Sequence, residues 1–163
     1  MSDTITRDEA FRKLAARCSA KECCISEARE KLHNWNISRL DEESIIEQLL
    51  KEKYIDEARY CQAFAKDQFR FAGWGRIKIG YTLRQKQIDP LTVSQSMKVI
   101  DENEYADALR RILKSKYRGL KVMSPEQQSE KLMRFAVSRG FEFDLIKSCL
   151  QELSLECPVG SEI

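Results

Sequence analysis

The stretch KYIDEARYCQAFAKDQFRFAGWGRIKIGYTLRQKQI, residues 53–88, sets the pattern for the whole chain. An amphipathic segment follows Asp56, breaks at Gly73-Trp74-Gly75 and resumes at Arg76. Glycine is typical of a helix end, because it accepts backbone angles that other residues resist. The stretch therefore predicts two consecutive helices, with Asp56 as the N-cap of the first and a flexible joint at the glycines.

Between Gln68 and Ile88 the stretch contains five basic residues and no acidic one. These basic residues are Arg70, Arg76, Lys78, Arg84 and Lys86. We interpret them as outward-facing contacts, since guanidinium groups reach phosphate or carboxylate in a forked geometry. Trp74 has two interpretations: a ring that stacks on a base or anchors in a partner pocket, or a ring that fills a seam between helices, which is the commoner use.

The 3.6-residue period continues on both sides, and no strand period appears. We predict nine helices, beginning near Arg7, Ser26, Asp41, Asp56, Arg76, Pro90, Glu104, Ser124 and Phe143. Leu50 and Ala58 are expected on buried faces. The fifth helix has two sets of apolar residues, Ile77 with Tyr81 and Ile79 with Leu83, so we expect it to contact neighbours on two sides. The fold class is therefore all-α.

A weak internal repeat divides the nine helices into three groups. Pairs of apolar residues five apart end the second helix of each group: Leu32 and Ile37, Leu83 and Ile88, Ala136 and Phe141. We predict three tandem three-helix repeats, residues 7–55, 56–101 and 102–154, between a flexible N-terminus (1–6) and a flexible tail (155–163). Because so small a unit barely buries its own core, neighbouring repeats should stack into an elongated, curved array, a form suited to binding.

Composition indicates a globular protein without a secretory or membrane segment. Over 163 residues, 33% are charged and 42% hydrophobic, and the net charge is +2. No apolar run approaches the ~20 residues that span a bilayer, and the N-terminal residues lack the pattern of a secretory signal. We expect a cytoplasmic protein, and we expect a monomer.

The six cysteines are Cys18, Cys23, Cys24, Cys61, Cys149 and Cys157. A cytoplasmic location favours reduced thiols packed in the core over a disulfide framework. The first three are clustered, but they lack a C-x2-C pair with a matching second half, and His33, the only histidine, completes no recognisable site. We predict neither a metal nor a cofactor.

The seventh predicted helix carries the clearest basic stripe. Its members are Arg110, Arg111, Lys114, Arg118 and Lys121. At 100° per residue they fall within an arc of about 100°, and no acidic residue occurs between Ala108 and Pro125 to neutralise them. Such a stripe suits a phosphate backbone or an acidic protein groove, although charge runs are usually solvated faces.

The sequence argues against an enzyme. It contains no phosphate-binding loop, no dinucleotide fingerprint, no zinc-protease helix and no nucleophile–histidine set. Asp56 beside Glu57 is better explained as a helix cap than as a catalytic acid. The acidic stretch 41–57 is a second candidate surface, suited to a basic partner.

Three groups of residues carry a resemblance to a known family. They are Tyr54-Ile55-Asp56-Glu57-Ala58-Arg59-Tyr60 followed by Phe64; Gly75-Arg76-Ile77 followed by Leu83-Arg84-Gln85-Lys86-Gln87-Ile88; and Lys131-Leu132, Arg134-Phe135, Ser138-Arg139-Gly140-Phe141 and Ile146. Together they resemble the bacterial RecX regulators of the RecA recombinase, over about residues 7–153. The chain departs from the family pattern at Cys61, where alanine is usual, at Gln87, where glycine is usual, and at Glu57, where a second aspartate is common.

The resemblance implies a fold of three tandem three-helix repeats and a non-enzymatic activity. It implies binding to RecA or its DNA filament and restraint of recombinase, strand-exchange and ATPase activities, in DNA repair and the SOS response. Basic helices could add direct DNA contact. The alternative is a stand-alone helical DNA-binding module or transcription regulator, but the basic helix is better suited to backbone contact than to base readout.

Overall fold

The computed structural model describes residues 4–156, and within that range it contains nine α-helices and no strand. The helices are α1 (Arg7–Ala20), α2 (Ile25–Asn34), α3 (Arg39–Lys51), α4 (Glu57–Asp67), α5 (Arg76–Gln85), α6 (Pro90–Ser96), α7 (Glu102–Arg118), α8 (Pro125–Ser138) and α9 (Phe143–Glu156). A π-helical turn, Gln68–Ala72, follows α4, and a 3-10 turn, Met97–Val99, follows α6. The all-α prediction is confirmed. Most of the predicted tail and Cys157 lie outside the described residues.

Side-chain caps fix most of the helix starts. The Arg59 backbone N–H donates to Asp56 Oδ1 at 3.0 Å, which confirms Asp56 as the cap of α4. Thr6 with Glu9, and Ser124 with Gln127, form capping boxes at α1 and α8. These polar residues define where each helix can begin, because they satisfy backbone N–H groups that have no partner within the helix.

Three helices begin earlier than predicted. α3 starts two residues before Asp41, because the Asp41 N–H donates to the Ser38 hydroxyl at 3.2 Å. α7 starts two residues before Glu104, whose N–H donates to the Asp101 carboxylate at 3.0 Å. α2 starts one residue before Ser26 and has no side-chain cap.

The chain packs as two compact units. Unit 1 contains the described residues up to Phe64 together with Leu83–Ser96. α1 and α2 both pack on α3 in this unit. Its fully buried side chains include Leu14, Leu32, Ile45, Leu49 and Ile55. Most are the apolar positions whose helical period predicted the first three helices.

Unit 2 contains Ala65–Thr82 together with the described residues from Met97 onward. Its helices α7, α8 and α9 each pack against the other two. The largest fully buried side chains in this unit are Tyr105, Phe141, Ile79, Leu109, Leu113 and Leu132. Tyr105 lies 5.7 Å from Phe69 and 5.1 Å from Phe141 between ring centroids, so aromatic contacts form the centre of this core.

Some side chains predicted to be buried are exposed. They are Leu50, Ala58, Ile77 and Tyr81. Leu50 is turned about 100° from Leu49 around α3 and so leaves the buried face. Ile77 and Tyr81 are 54% and 59% exposed, whereas Ile79 and Leu83 are fully buried. The prediction that α5 is buried on two sides is therefore wrong.

The predicted repeat has a common backbone feature. Two residues after the second helix of each predicted repeat ends, the chain has a residue with positive φ: 56° at Asn36, 62° at Gln87 and 95° at Gly140. In the first and third cases the next backbone N–H, of Ile37 or Phe141, donates back to the carbonyl five residues earlier, at 3.0 and 3.2 Å. The apolar pairs thus mark repeated helix ends. The boundaries of the repeats and the curved form stay predictions.

Gln87 is the residue least suited to this conformation, because left-handed backbone costs a residue with a Cβ about 1–2 kcal/mol. We expect Gln87→Gly to raise the free energy of unfolding by about 1 kcal/mol, after part of the gain is offset by the backbone entropy of glycine. Urea unfolding measures it. Asn36→Gly is the matched control and should gain less, because asparagine tolerates the left-handed region. An equal or larger gain at Asn36 would contradict this explanation.

The thiols of the described residues are buried and free, as predicted. Burial raises the pKa of Cys18 to about 12, with Cys23 adding to the shift, and raises the pKa of Cys61 to about 11. Both thiols stay protonated at neutral pH, whereas metal binding and nucleophilic attack require the thiolate. Cys18 and Cys61 therefore behave as small apolar core residues.

Glu57 is a partly buried carboxylate, and its Oε2 has no hydrogen-bond partner. Burial raises its pKa, while the Ile25 backbone N–H acts in the opposite direction. The folded chain therefore binds this proton more tightly than the unfolded chain does. The contribution of Glu57 to stability is fully present below its unfolded pKa of 4.5 and is lost as pH rises through the raised folded value.

The substitution Glu57→Gln removes the ionisable group, and with it the loss of stability that occurs as pH rises. We expect the variant to be more stable than the parent at pH 7 by about 1 kcal/mol, the lower cost of an unsatisfied buried group, and the difference should vanish near pH 4. Urea unfolding across that pH range measures it. Glu47→Gln, at an exposed position of α3, is the control. A stability difference at Glu57 that does not change with pH would contradict the explanation.

Candidate partner interface

Arg76, the first residue of α5, contacts α7 and the start of α9 within unit 2. Its guanidinium pairs with Glu102 at 2.8 Å and Glu142 at 3.6 Å, and its Cζ lies 4.0 Å from the centre of the Tyr105 ring. Its backbone N–H donates to the Tyr105 hydroxyl at 2.9 Å, and that hydroxyl donates to Glu142. The Arg76 side chain is only 19% exposed. The prediction that the Arg76 side chain faces outward is wrong, because its guanidinium is paired with Glu102 and Glu142 within unit 2.

The glycines around Trp74 are fixed rather than flexible. The Gly75 N–H donates to the Arg139 carbonyl at 2.7 Å, and the Arg139 guanidinium donates to the Ala72 carbonyl at 3.0 Å. A Cβ at Gly75 would lie 2.4 Å from the Gly140 carbonyl oxygen. Glycine is required here for close backbone approach. The prediction of a flexible joint is therefore corrected to a closely packed crossing of two turns.

Trp74 is half-buried, and the Lys78 Nζ lies 4.5 Å from its ring centre. The ring and the ammonium group therefore form a cation–π pair within unit 2. This geometry favours a packed tryptophan with one covered face. Of the two interpretations of Trp74, it favours the structural one, and the partner role of Trp74 and Lys78 stays a prediction.

The π-helical turn after α4 contains two phenylalanines that differ in burial. Phe69 stacks on the buried Tyr105, whereas Phe71 is 85% exposed. The Gln68 carbonyl accepts from the N–H groups of Gly73 and Trp74, which closes this wide turn. Single π-helical turns frequently occur at functional sites, and this one leaves an aromatic ring in solvent.

Phe71 lines a cleft of about 530 Å³ between the end of α4, α7 and α8, which we call the aromatic cleft. Its charged lining residues are Arg70, Lys116 and Arg139, and no acidic residue lines it. Two cations contact the Phe135 ring on its wall: Lys116 Nζ lies 5.0 Å and Arg139 Cζ 5.1 Å from the ring centre. The cleft thus combines aromatic rings with unopposed positive charge.

A second cleft, of about 940 Å³, adjoins the first and shares Arg70, Gly73 and Ile112 with it. We call it the mixed cleft, because acidic and basic side chains both line it. Its charged lining residues are Arg70, Arg110, Arg111, Lys114, Glu104 and Asp107. The two clefts together bring Arg70 near the basic stripe predicted for α7.

Arg110 is not an uncompensated cation of that stripe. Its guanidinium donates to Glu152 at 2.7 Å and to Asp107 at 2.7 Å. The hydrogen bond from Arg110 lowers the pKa of Glu152, so the pair stays charged at neutral pH. Of these two acids, Asp107 lies three residues before Arg110 on α7, just outside the acid-free run from Ala108 to Pro125, and Glu152 lies on α9, far along the chain. The stripe is therefore partly neutralised across the helix packing.

The far end of the stripe also differs from its prediction. α7 ends at Arg118, where Gly119 caps it, so Lys121 lies beyond the helix and the helical angle does not apply to it. Arg111 and Arg118 are exposed and form no ion pair among the described residues. Lys114 lines the mixed cleft. Three of the five predicted members, Arg111, Lys114 and Arg118, are thus exposed cations on α7 itself.

The remaining predicted contacts lie in unit 1. Lys86 pairs with Glu27 at 3.1 Å, and the Tyr60 hydroxyl donates to the same Glu27 oxygen at 2.9 Å. Arg84 is exposed. Lys86 is therefore occupied within its own unit, whereas Arg84 remains available to a partner.

Sequence reasoning missed three residues of the aromatic cleft: Phe71, Lys116 and Arg139. Phe71 was one of several aromatic residues on an apparently regular helix, and only the π-helical turn shows which ring is exposed. Lys116 lies outside the arc chosen on α7. Arg139 stands in the Arg-Gly-Phe motif at the end of α8, outside the basic stripe of α7. The sequence did contain a signal for Lys116, because it is one of the basic residues in the segment from Ala108 to Arg118, which has no acidic residue.

The fold and the clefts define the class of protein first: an all-α array of small helical repeats that carries a basic, partly aromatic surface. Two family models match, the second three-helix domain of RecX over residues 56–97 and the third three-helix domain of RecX over residues 102–150. The chain belongs to the RecX family of regulatory proteins. The prediction of three-helix repeats is confirmed by these matches.

Relatives agree with this assignment. The chain is 32% identical over 132 residues to regulatory protein RecX of Clostridium botulinum strain Eklund 17B, covering 77% of this chain and 59% of that protein. It is 25% identical to regulatory protein RecX of Vibrio parahaemolyticus, covering 90% and 91%. With the RecX of Clostridium tetani the match covers 51% of the relative, so the chain spans about half the length of some curated relatives.

The fold matches a solved structure as well. The crystal structure of RecX from Lactobacillus salivarius superposes with a TM-score of 0.84 at 17% identity, covering 91% of this chain and 97% of that chain. This likeness supports the fold. Within residues 4–156 no helix is both long and apolar enough to cross a bilayer.

Proposed function

We propose that this protein binds the RecA recombinase or its nucleoprotein filament and restrains recombination, strand exchange and ATP hydrolysis, as a regulator of DNA repair and the SOS response. It acts as a cytoplasmic binding protein without a cofactor and without catalysis of its own. The observation that carries the proposal is the match of two successive RecX three-helix domains. The RecA target comes from the family resemblance.

The charge distribution of unit 2 supports this proposal physically. Arg70 and Arg111 line the mixed cleft, and both form no ion pair among residues 4–156. Unpaired cations of this kind attract phosphate or acidic protein surfaces and release counterions when they bind. We assign them as the first contacts with the filament, together with Lys116 of the aromatic cleft.

The proposal is tested by adding the protein to RecA on single-stranded DNA and measuring DNA-dependent ATP hydrolysis. We expect hydrolysis to fall as the protein approaches stoichiometric amounts, and strand exchange to fall with it. Unchanged rates of both at stoichiometric excess would contradict the proposal. Sequence-selective duplex binding without any effect on RecA would favour the alternative of a stand-alone DNA-binding module.

A further inference from the structure

We propose that the aromatic cleft is a binding site for single-stranded nucleic acid. One unpaired base stacks on Phe71, and Arg70 and Lys116 contact the adjoining phosphates. This inference goes beyond the proposed function, because it assigns the protein a nucleic-acid ligand of its own that needs no recombinase.

The exposed ring is the first observation behind this site. Phe71 is 85% exposed although the same turn buries Phe69 against Tyr105. The backbone around it is held by the Arg139–Ala72 hydrogen bond of 3.0 Å. An aromatic ring fixed in solvent on a rigid turn is a ready stacking surface, because every base offers a π-face to such a ring.

The charge of the cleft is the second observation. Arg70, Lys116 and Arg139 line it without an acidic neighbour. Arg139 is held by the Ala72 carbonyl and the Phe135 ring, so it supplies a fixed positive charge. Arg70 is exposed and forms no ion pair among the described residues, and Lys116 is exposed beside Phe135. These two long side chains can therefore reach phosphates on either side of a stacked base.

The combination favours a single strand over a duplex. Bases in a duplex are already stacked on one another, so Phe71 could contact them only by opening the helix, whereas an unpaired base is free to cover the ring. A duplex would use the cations alone. At about 530 Å³ the cleft lies in the range of sites that hold small ligands, which fits one nucleotide rather than a duplex groove.

The experiment measures binding of a fluorescent oligothymidylate to the protein alone by anisotropy. We expect Phe71→Ala to weaken binding about tenfold, in line with the loss of one base–aromatic stack. Phe71→Trp should retain affinity, and Phe71→Leu should lose it, because leucine keeps apolar surface without a ring. Leu40→Ala is the matched control, since Leu40 is also 85% exposed, and it should leave affinity unchanged.

Salt dependence separates the two parts of the site. The double variant Arg70→Ala with Lys116→Ala should reduce the slope of log K against log salt by about 1.4, the value for two phosphate contacts on a single strand. Phe71→Ala should leave that slope unchanged. Lys131→Ala with Lys147→Ala, which removes two exposed cations of unit 2 outside the cleft lining, is the charge control.

Three results would overturn the inference: no binding of the oligonucleotide by the protein alone, equal affinity for the single strand and the matching duplex, or an unchanged affinity in Phe71→Ala. If Phe71→Ala kept its oligonucleotide affinity but lost recombinase binding, the cleft would be a protein site instead. Circular dichroism of each variant checks that its helix content equals that of the parent. Oligonucleotide binding by the protein alone tests this inference, whereas the recombinase assay tests the proposed function.

Discussion

Replacing Gly140 by alanine should lower the free energy of unfolding by about 3 kcal/mol or more. Gly140 has φ of 95°, and a Cβ there would lie 2.4 Å from Lys78 Cβ and 2.6 Å from the Lys78 backbone nitrogen. Left-handed backbone costs about 1–2 kcal/mol, and overpacking against a rigid neighbour costs about 1–3 kcal/mol more. The turn before α9 must then move away from α5, which breaks the Ile77 N–H bond to the Gly140 carbonyl, now 2.9 Å.

Urea unfolding followed by circular dichroism measures this loss. Gly119→Ala is the matched control, because Gly119 has φ of −85° and its added Cβ would meet nothing closer than 3.7 Å. We expect that control to change stability by less than about 0.5 kcal/mol. Similar effects of the two substitutions would show that the close crossing of Gly75 and Gly140 is not required.

Tyr105→Phe should cost about 2 kcal/mol, although it removes only one oxygen atom. Tyr105 is fully buried, and its hydroxyl both accepts from the Arg76 N–H at 2.9 Å and donates to Glu142. Phenylalanine keeps the ring contacts but leaves the backbone N–H of Arg76 without its partner, and an unsatisfied buried group costs about 1–3 kcal/mol. Burial, and then the bond to Glu142, raises the pKa of Tyr105, so the hydroxyl stays protonated.

The same unfolding assay measures this effect. Tyr117→Phe serves as control, because the Tyr117 hydroxyl forms no hydrogen bond with the described residues and the side chain is half-buried. It should change stability by less than about 0.5 kcal/mol. If Tyr105→Phe were as mild as the control, the hydroxyl would not connect α5, α7 and the start of α9 as we describe.

The helices were predictable because short-range features of the sequence mark where most of them begin. The capping residues Asp56 and Ser124 and the 3.6-residue apolar period are such features. The observed helix starts lie within one or two residues of the predicted ones. The errors arose where a choice depends on distant residues. Ile77 is apolar, and only the packing within unit 2 shows that its side chain is left outside the core.

The candidate site was less predictable, because charges pair across long separations in sequence. Arg110 forms an ion pair with Glu152 on α9, and Arg76 forms ion pairs with Glu102 and Glu142. No local pattern announces such partners. Phe71 was missed for a different reason: a π-helical turn shifts the register of the ring, and helical periodicity assumes 3.6 residues per turn.

The central proposal is that Arg70 and Arg111, the unpaired cations that line the mixed cleft, bind the RecA filament. The most direct measurement is the affinity of the protein for preformed RecA filaments at two salt concentrations, with Arg70→Glu combined with Arg111→Glu and, as control, Lys131→Glu combined with Lys147→Glu. We predict that the first pair weakens binding at low salt by about tenfold or more, with a smaller loss at high salt, while the control changes little. Equal affinities for the parent and both variants at low salt would contradict the claim.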